Sequence, residues 1–266
     1  MKDILEDIIA NKRKEVDASK GLLPFENLRK LVEKKMELSE FAKHSMRNSL
    51  LNSQSGIISE FKRKSPSKGW IHENAKVTEV VPQYAQNGAS AISILTDFTF
   101  FGGNQNFIRE VRPLIETPIL RKDFIIDEYQ LYEAKLIGAD AVLLIAADLT
   151  KVQCHELLQR AHELELEVLL EIHDEKELDY LTPEVDMLGV NNRHLGTFHT
   201  DVQQSYDIAK LLPKEFTLVS ESGISNPSTV KELRNAGFRG FLIGETFMKE
   251  EDPGAALKTF IQQIHN

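Results

Sequence analysis

Short apolar runs alternate with amphipathic stretches along most of the chain. The apolar runs cover residues 57–61, 91–95, 118–120, 141–145, 167–172, 187–190, 217–219 and 240–243. Helical patterns fill the intervals, at about 77–87, 105–115, 128–138, 149–164, 174–181, 202–211, 227–236 and 253–264. Continuous apolar runs are typical of parallel strands covered by helices. Eight such units predict an α/β fold, a (β/α)8 TIM barrel, because a doubly wound sheet seldom needs so many strands.

The first 50 residues lie outside this rhythm. Apolar residues at helical spacing predict a helix over residues 3–19 and a second helical stretch that begins at Phe25. Residues 44–55 are polar and irregular and are predicted to be a connection. We therefore expect residues 1–50 to be a helical extension packed on a barrel of residues 51–266, within one structural domain. This extension acts as packing, as a plug of the barrel or as a lid over a site.

Composition and charge exclude several classes of protein. The 32 basic and 41 acidic residues give a net charge of −9, which argues against a nucleic-acid partner or an anionic membrane surface. A single cysteine, Cys154, excludes an internal disulfide framework. No apolar run is long enough to span a bilayer, and the charged N-terminus is unlike a signal peptide. We predict a soluble, cytoplasmic protein.

Charged residues end several of the predicted strands. In a barrel of this kind the functional site lies at the carboxyl ends of the strands. Alternation along 57–62 places Glu60 and Lys62 on one face, where an acid and a base either satisfy each other or perform chemistry. Lys122, Glu171 and Arg193 end or follow three other strands. Two carboxylates and three cations then converge on one cavity, which is more charge than a structural core tolerates.

Two glycine-containing loops follow the last two strands. Gly223 and Gly244 allow a backbone amide to approach an anion closely, and the loops after strands 7 and 8 are a frequent phosphate site in such barrels. Lys62 and Ser65 would add a charge and a hydroxyl to the same site. The alternative is that each glycine only makes a tight turn. The pair together favours phosphate.

No metal site and no nucleotide cofactor are predicted. The motif HExxH is absent, and so are GxGxxG and the P-loop. The histidines at positions 155, 162, 194 and 199 are interpreted as solvated side chains rather than ligands. Any anionic ligand must therefore be held by the local cluster of positive groups.

The motifs carry a resemblance to a known family. They are ILEDIIANKRKEV, ISEFKRKSPSKG, SILTD followed by FFGG, ILRKDFIIDEYQ, LLEIHDE, GVNNRHLGTF, VSESGI and LIGETFM. In this order and spacing, over nearly the whole length, the chain resembles the indole-3-glycerol phosphate synthases of tryptophan biosynthesis. The resemblance implies a (β/α)8 barrel with an extra N-terminal helical segment and no cofactor or metal. It also implies a carboxy-lyase that closes the ring of 1-(2-carboxyphenylamino)-1-deoxyribulose 5-phosphate, with loss of carbon dioxide and water.

The resemblance also assigns roles to individual residues. Lys122 matches the general acid, and Glu171 matches a carboxylate that removes a proton or stabilises charge. Glu60 orients the lysines, while Lys62 binds substrate and is an alternative acid for the dehydration. Sequence does not decide which lysine acts at which step. The remaining matches are Asn191, Arg193 and Ser222 for positioning, Phe101, Phe124 and Leu143 for apolar walls, and Ser65, Gly223, Gly244 and Glu245, with Lys62, for phosphate contacts.

Two rival functions stay open at this point. A phosphoribosylanthranilate isomerase would need a cysteine and an aspartate as base and acid, and Cys154 is misplaced for that role. A non-catalytic phosphate-binding barrel would have no use for Glu60, Lys122 and Glu171 at strand ends, because unpaired buried charges destabilise a fold. The expected partner is a phosphorylated small molecule, bound by a monomer.

Overall fold

The computed structural model describes residues 4–194 and 199–265 and contains a closed barrel of eight parallel strands. Each strand pairs with its neighbour in sequence, and the last pairs with the first. The predicted (β/α)8 fold is confirmed. The barrel strands are β1 Ile57–Phe61, β2 Ala91–Leu95, β3 Ile119–Lys122, β4 Ala141–Ile145, β5 Glu167–Ile172, β6 Met187–Asn191, β7 Leu218–Glu221 and β8 Phe238–Ile243.

Helices cover the barrel and precede it. A two-residue hairpin, Lys64–Ser65 with Gly69–Trp70, follows β1. The α-helices are α1 Ile4–Leu22, α2 Phe25–Glu37, α3 Met46–Asn52, α4 Val77–Gln86, α5 Asn106–Val111, α6 Glu128–Ile137, α7 Lys151–Glu163, α8 Gln203–Ala209, α9 Pro227–Asn235, α10 Glu245–Met248 and α11 Pro253–His265. Short 3-10 helices lie at Arg112–Leu114, Ala146–Asp148 and Glu175–Tyr180, so the helical pattern predicted over 174–181 is a 3-10 helix. None of the helices described is long and apolar enough to cross a membrane.

The prediction of an irregular connection over residues 44–55 was wrong, because this segment contains α3. The Ser45 side chain caps the helix by accepting a hydrogen bond from the backbone N–H of Asn48. Met46 and Leu50, four residues apart, lie on one face and are fully buried. They pack with the inner apolar side chains of the barrel and close its amino-terminal end. The predicted boundary between residues 50 and 51 falls inside α3, and the division into extension and barrel stays a prediction.

Helix α1 lies across the opposite end of the barrel. Its residues Ile4, Leu5 and Ile8 line the cavity at the carboxyl ends of the strands. Lys12 is buried, and its ammonium lies 3.0 Å from Asp97 Oδ2 and 2.8 Å from Asp123 Oδ1, just beyond β2 and β3. The extension therefore contributes one wall of the site as well as packing.

Candidate active site

A cavity of about 500 Å³ opens at the carboxyl ends of the barrel strands. This volume suits a small organic ligand. All but one of the residues that the sequence predicts for a site line it. They are Glu60, Lys62, Phe101, Lys122, Phe124, Leu143, Glu171, Asn191, Arg193, Ser222, Gly223, Gly244 and Glu245.

Ser65 is the exception. Its side chain is buried, and its hydroxyl accepts a hydrogen bond of 3.3 Å from the backbone N–H of Lys68, inside the loop that follows β1. The neighbouring residues Pro66, Ser67 and Lys68 line the cavity instead. Ser65 shapes this loop, and its contact with a phosphate stays a prediction.

Lys122 lies between two buried carboxylates. Its Nζ is 2.8 Å from Glu171 Oε2 and 3.3 Å from Glu221 Oε2. Burial by itself would lower the pKa of Lys122, but the carboxylates of Glu171, Glu221 and Glu60 outweigh burial and raise the pKa above its usual value. Lys122 therefore stays protonated at neutral pH and is able to donate a hydrogen bond or a proton.

The two carboxylates beside Lys122 differ in protonation. Burial alone would raise the pKa of Glu171, but Lys122 and His173 outweigh it and hold that pKa well below the usual range. Burial raises the pKa of Glu221 to about 8, and the neighbouring Glu171 adds to the rise despite the opposing effect of Lys122. Glu171 is thus ionised at neutral pH, whereas Glu221 carries a proton much of the time. Two titratable groups with pKa values pushed apart are a common basis for acid and base roles.

A second ion pair lies at the end of β1. Lys62 Nζ is 2.6 Å from Glu60 Oε1, and Glu60 is almost fully buried. Gly244 faces this carboxylate, and a Cβ atom at position 244 would collide with it. Glycine at that position therefore leaves room for Glu60 between β1 and β8.

The loops after β7 and β8 form a backbone-rich corner of the cavity. Ser222 and Gly223 both have positive φ angles, 68° and 76°, so the chain makes a tight left-handed turn there. Gly244 and Glu245 begin the short helix α10. The carboxylate of Glu245 is partly exposed and lies 3.7 Å from Lys68 Nζ, across the cavity mouth. These amides and Lys68 provide hydrogen-bond donors and a positive charge for an anion.

Asn191 and Arg193 connect this corner to the charged floor of the cavity, which is formed by Glu60, Lys122, Glu171 and Glu221. The Asn191 side chain donates a hydrogen bond of 3.0 Å to Glu171 Oε1 and accepts one of 3.0 Å from the backbone N–H of Arg193. The Arg193 guanidinium reaches across to the hydroxyl of Ser67, at 3.4 Å. Both side chains are thus held in place before any ligand binds.

An apolar wall faces the charged groups. The Phe101 and Phe124 rings lie with their centroids 6.0 Å apart, and Leu143 and Ile8 line the same cavity. The cavity therefore offers an aromatic-sized apolar surface beside the Lys122 ammonium.

Comparisons with known proteins identify the family of this chain. The family model described as indole-3-glycerol phosphate synthase matches residues 5–260. The chain belongs to this family. A relative named indole-3-glycerol phosphate synthase in Bacteroides thetaiotaomicron is 58% identical over 264 residues, covering 99% of this chain and 100% of the relative. One of the same name in Burkholderia vietnamiensis is 42% identical, covering 97% of this chain and 98% of the relative.

Solved structures show the same fold at low sequence identity. A tryptophan synthase alpha subunit from Legionella pneumophila superposes with a TM-score of 0.63 at 15% identity, covering 85% of this chain and 100% of that chain. A Streptococcus mutans protein described as KGPDC superposes with a TM-score of 0.59 at 13% identity, covering 79% of this chain and 96% of that chain. At these identities the likeness concerns the fold alone.

The sequence prediction missed two titratable residues at or beside this candidate site. Glu221 ends β7 but was not included among the candidate site residues, although the strand-end rule applies to it as it does to Glu171. His173 follows Glu171 by two positions, and its ring Nε2 lies 3.2 Å from Glu171 Oε1. Alternation along the strand would have placed it on the same side as Glu171.

Proposed function

We propose that the chain acts as an indole-3-glycerol phosphate synthase, the decarboxylating lyase of tryptophan biosynthesis, through the charged groups on the cavity floor. Family membership over almost the whole chain supports the reaction. The observation that carries the residue assignment is the Lys122 ammonium, placed 2.8 Å from Glu171 and beside an apolar wall. The substrate is a phosphorylated small molecule, 1-(2-carboxyphenylamino)-1-deoxyribulose 5-phosphate.

Lys122 acts at the ring closure. The aryl carbon attacks the ribulose carbonyl, and negative charge develops on the carbonyl oxygen. A protonated lysine stabilises that oxyanion and supplies its proton. The raised pKa of Lys122 keeps the ammonium charged and able to donate hydrogen bonds, but it makes the group a reluctant acid. Glu221, with a pKa of about 8, is the group beside it that is able to return a proton to the lysine.

Glu171 and the Glu60–Lys62 pair act in the later steps. After carbon dioxide leaves, a hydroxyl must be protonated so that it departs as water. The new ring must also lose a proton. Glu171 is ionised and buried, so it is suited to remove a proton or to stabilise positive charge on the nitrogen-bearing ring. Lys62, held by Glu60 at 2.6 Å, is suited to bind the substrate and to protonate the departing hydroxyl.

The two ends of the substrate bind to different parts of the cavity. Gly223, Gly244 and Glu245 offer backbone amides to the phosphate, with Lys62 adding positive charge. Asn191, Arg193 and Ser222 position the carboxylate and hydroxyls. The aryl ring lies against Phe101, Phe124 and Leu143, where the exclusion of water favours decarboxylation.

We also propose that the enzyme is a cytoplasmic monomer. Membership of a family of biosynthetic enzymes supports this location. Every charged group proposed for catalysis lies within one barrel, so the described part of the chain assembles the site without a second copy.

The direct test is to mix the purified chain, treated with a chelator, with 1-(2-carboxyphenylamino)-1-deoxyribulose 5-phosphate and to follow indole fluorescence. We expect fluorescence to rise with turnover that does not depend on added metal. Binding of the substrate without any rise would refute the proposed reaction and leave a phosphate-binding barrel.

A further inference from the structure

A largely buried histidine lies beside the Glu171 carboxylate, outside the cavity lining. His173 is in the loop after β5, and its side chain is about a tenth exposed. The imidazole lies between two carboxylates, with Nε2 at 3.2 Å from Glu171 Oε1 and Nδ1 at 3.7 Å from Glu177 Oε2. It does not line the cavity, so it meets the substrate only through Glu171.

Hydrogen bonds from two other elements hold the His173 backbone in place. The backbone N–H of His173 donates a hydrogen bond of 2.6 Å to Glu177 Oε2, and the Gln204 side chain donates one to the His173 carbonyl. Glu177 belongs to the 3-10 helix Glu175–Tyr180, and Gln204 belongs to α8. Two separate elements thus fix the backbone and charge environment of one side chain.

The two oxygens of Glu171 have different partners. Oε2 contacts Lys122, whereas Oε1 contacts His173 and accepts a hydrogen bond from Asn191. The charged groups facing Glu171 are Lys122 from β3, Glu221 from β7 and His173 from its own loop. Those facing His173 are Glu171 and Glu177.

We propose that His173, held between Glu171 and Glu177, is a positioning residue that fixes the orientation and the negative charge of Glu171 during the reaction. The proposal rests on the proposed function of Glu171 as a proton acceptor. A second cation, outside the cavity lining, keeps Glu171 ionised when the substrate draws Lys122 toward the developing oxyanion. Without His173, Glu171 would depend on Lys122 alone for its compensating charge.

The charge of His173 agrees with this role. Burial works to lower the pKa of His173, but its contacts with Glu171 and Glu177 outweigh burial and raise that pKa to about 10. An ordinary histidine is mostly neutral at pH 7.5. His173 therefore remains an imidazolium throughout the neutral range, and Glu171 remains paired.

The test compares pH profiles of kcat for the wild type, His173→Gln and Glu177→Gln. Glu171 must be deprotonated to accept a proton, so activity falls as pH drops through its pKa. Loss of a neighbouring cation raises a carboxyl pKa by about one unit or more. We expect the acidic limb of the kcat profile of His173→Gln to lie about one pH unit higher than that of the wild type. Glu177→Gln should move it less, since glutamine keeps the backbone bond but not the charge.

A matched control is His162→Gln. His162 also pairs with a carboxylate, with Nε2 at 2.8 Å from Asp186 Oδ2, but Asp186 directly precedes β6 at the other end of the barrel. The pH profile of kcat for His162→Gln should match that of the wild type. An unchanged profile for His173→Gln, or a loss by the same factor at every pH, would overturn the proposal.

A measurement without turnover separates this proposal from the proposed function. In protein labelled at histidine ¹³Cε1, one resonance should keep the imidazolium chemical shift up to pH 9 and be missing from His173→Gln. A His173 that titrates near pH 6.5 would overturn the proposal even in an active enzyme. Failure of the wild type to form product would instead refute the proposed function, and the resonance would be judged independently.

Discussion

We predict that the buried ion cluster around Lys12 holds α1 over the cavity. Lys12 contacts Glu15, Asp97 and Asp123, and its side chain is only 4% exposed. In Lys12→Met the aspartates lose this cation. Asp123 keeps Arg121 at 3.1 Å, but among the described residues Asp97 keeps only a hydrogen bond of 2.8 Å from the backbone N–H of Phe100. Asp97 then becomes a buried charge without a countercharge.

The magnitude follows from that loss. Removing one partner of a buried ion pair typically costs about 3–5 kcal/mol, because the other charge stays buried and uncompensated. We expect Lys12→Met to lower the free energy of unfolding by this amount, measured by urea denaturation at pH 7.5. Because Ile4, Leu5 and Ile8 of α1 line the cavity, KM for the substrate should rise as well.

The pH dependence gives a second check with a defined sign. In the wild type Lys12 acts against burial and holds down the pKa values of both aspartates. Without Lys12 those folded-state pKa values rise, so the folded variant binds protons that the unfolded chain does not. The destabilisation should therefore shrink as pH falls from 7.5 toward 5, by up to about 1.4 kcal/mol per pH unit for each carboxyl that becomes protonated.

Two control variants make the reasoning refutable. Lys20→Met removes a lysine from the same helix, but the Lys20 pair with Asp127, at 2.7 Å, is about one third exposed. Exposed pairs are worth about 0–1 kcal/mol, so this variant should be close to wild type. Adding Asp97→Asn to Lys12→Met should restore roughly 1–3 kcal/mol. A loss below about 1 kcal/mol for Lys12→Met, or no recovery in the double variant, would show that the cluster does not anchor α1.

Three further substitutions test other parts of the molecule. Lys122→Met should keep the circular dichroism spectrum and substrate binding but lower kcat by at least roughly a hundredfold, as expected for loss of a general acid; near-normal kcat would exclude Lys122 from that role. Gly244→Ala should raise KM and lower kcat, because the added Cβ displaces the Glu60 carboxylate; steady-state kinetics equal to wild type would contradict this. Leu50→Ala should cost about 2–5 kcal/mol of unfolding free energy in urea, whereas Leu51→Ala on the exposed face should cost little.

The strands were predictable because each is a buried apolar run between helical patterns. The predicted ends were less accurate for β3 and β7. Hydropathy falls after Leu120 and after Val219, so the predicted runs ended there, yet the strands continue through Lys122 and Glu221. They continue because the charged side chains find partners, such as Arg121 with Asp123 and Glu133. Pairing between distant segments is not visible in a local pattern.

Helix α3 shows a different limit. It has seven residues and only two buried side chains, Met46 and Leu50, so it offers one helical repeat in a polar segment. Its stability comes from the Ser45 cap and from packing against the barrel end, and isolated helices this short are unstable. The strand-end rule located most of the candidate site. It could not indicate that His173 is buried, since that depends on Glu177 and Gln204 from later elements.

The charged floor of the cavity has a simple origin in strand alternation. Glu60, Lys122, Glu171 and Glu221 come from β1, β3, β5 and β7, and alternate strands of such a barrel contribute side chains to one layer. The residues two positions earlier, Ile58, Leu120, Leu169 and Val219, point the same way and belong to the inner apolar cluster. A layer of charge therefore lies directly on a layer of hydrocarbon.

This layering explains the protonation of the site. Three carboxylates and one ammonium share a layer that has apolar side chains beneath it. Lys62 adjoins Glu60, and Glu177 offsets the positive charge of His173, so one negative charge stays uncompensated. Binding one proton neutralises this excess charge. Glu221, whose pKa rises to about 8, binds that proton. Binding of an anionic substrate adds more negative charge and should raise the pKa of Glu221 further. The layer thus keeps a proton available beside Lys122 before the reaction begins.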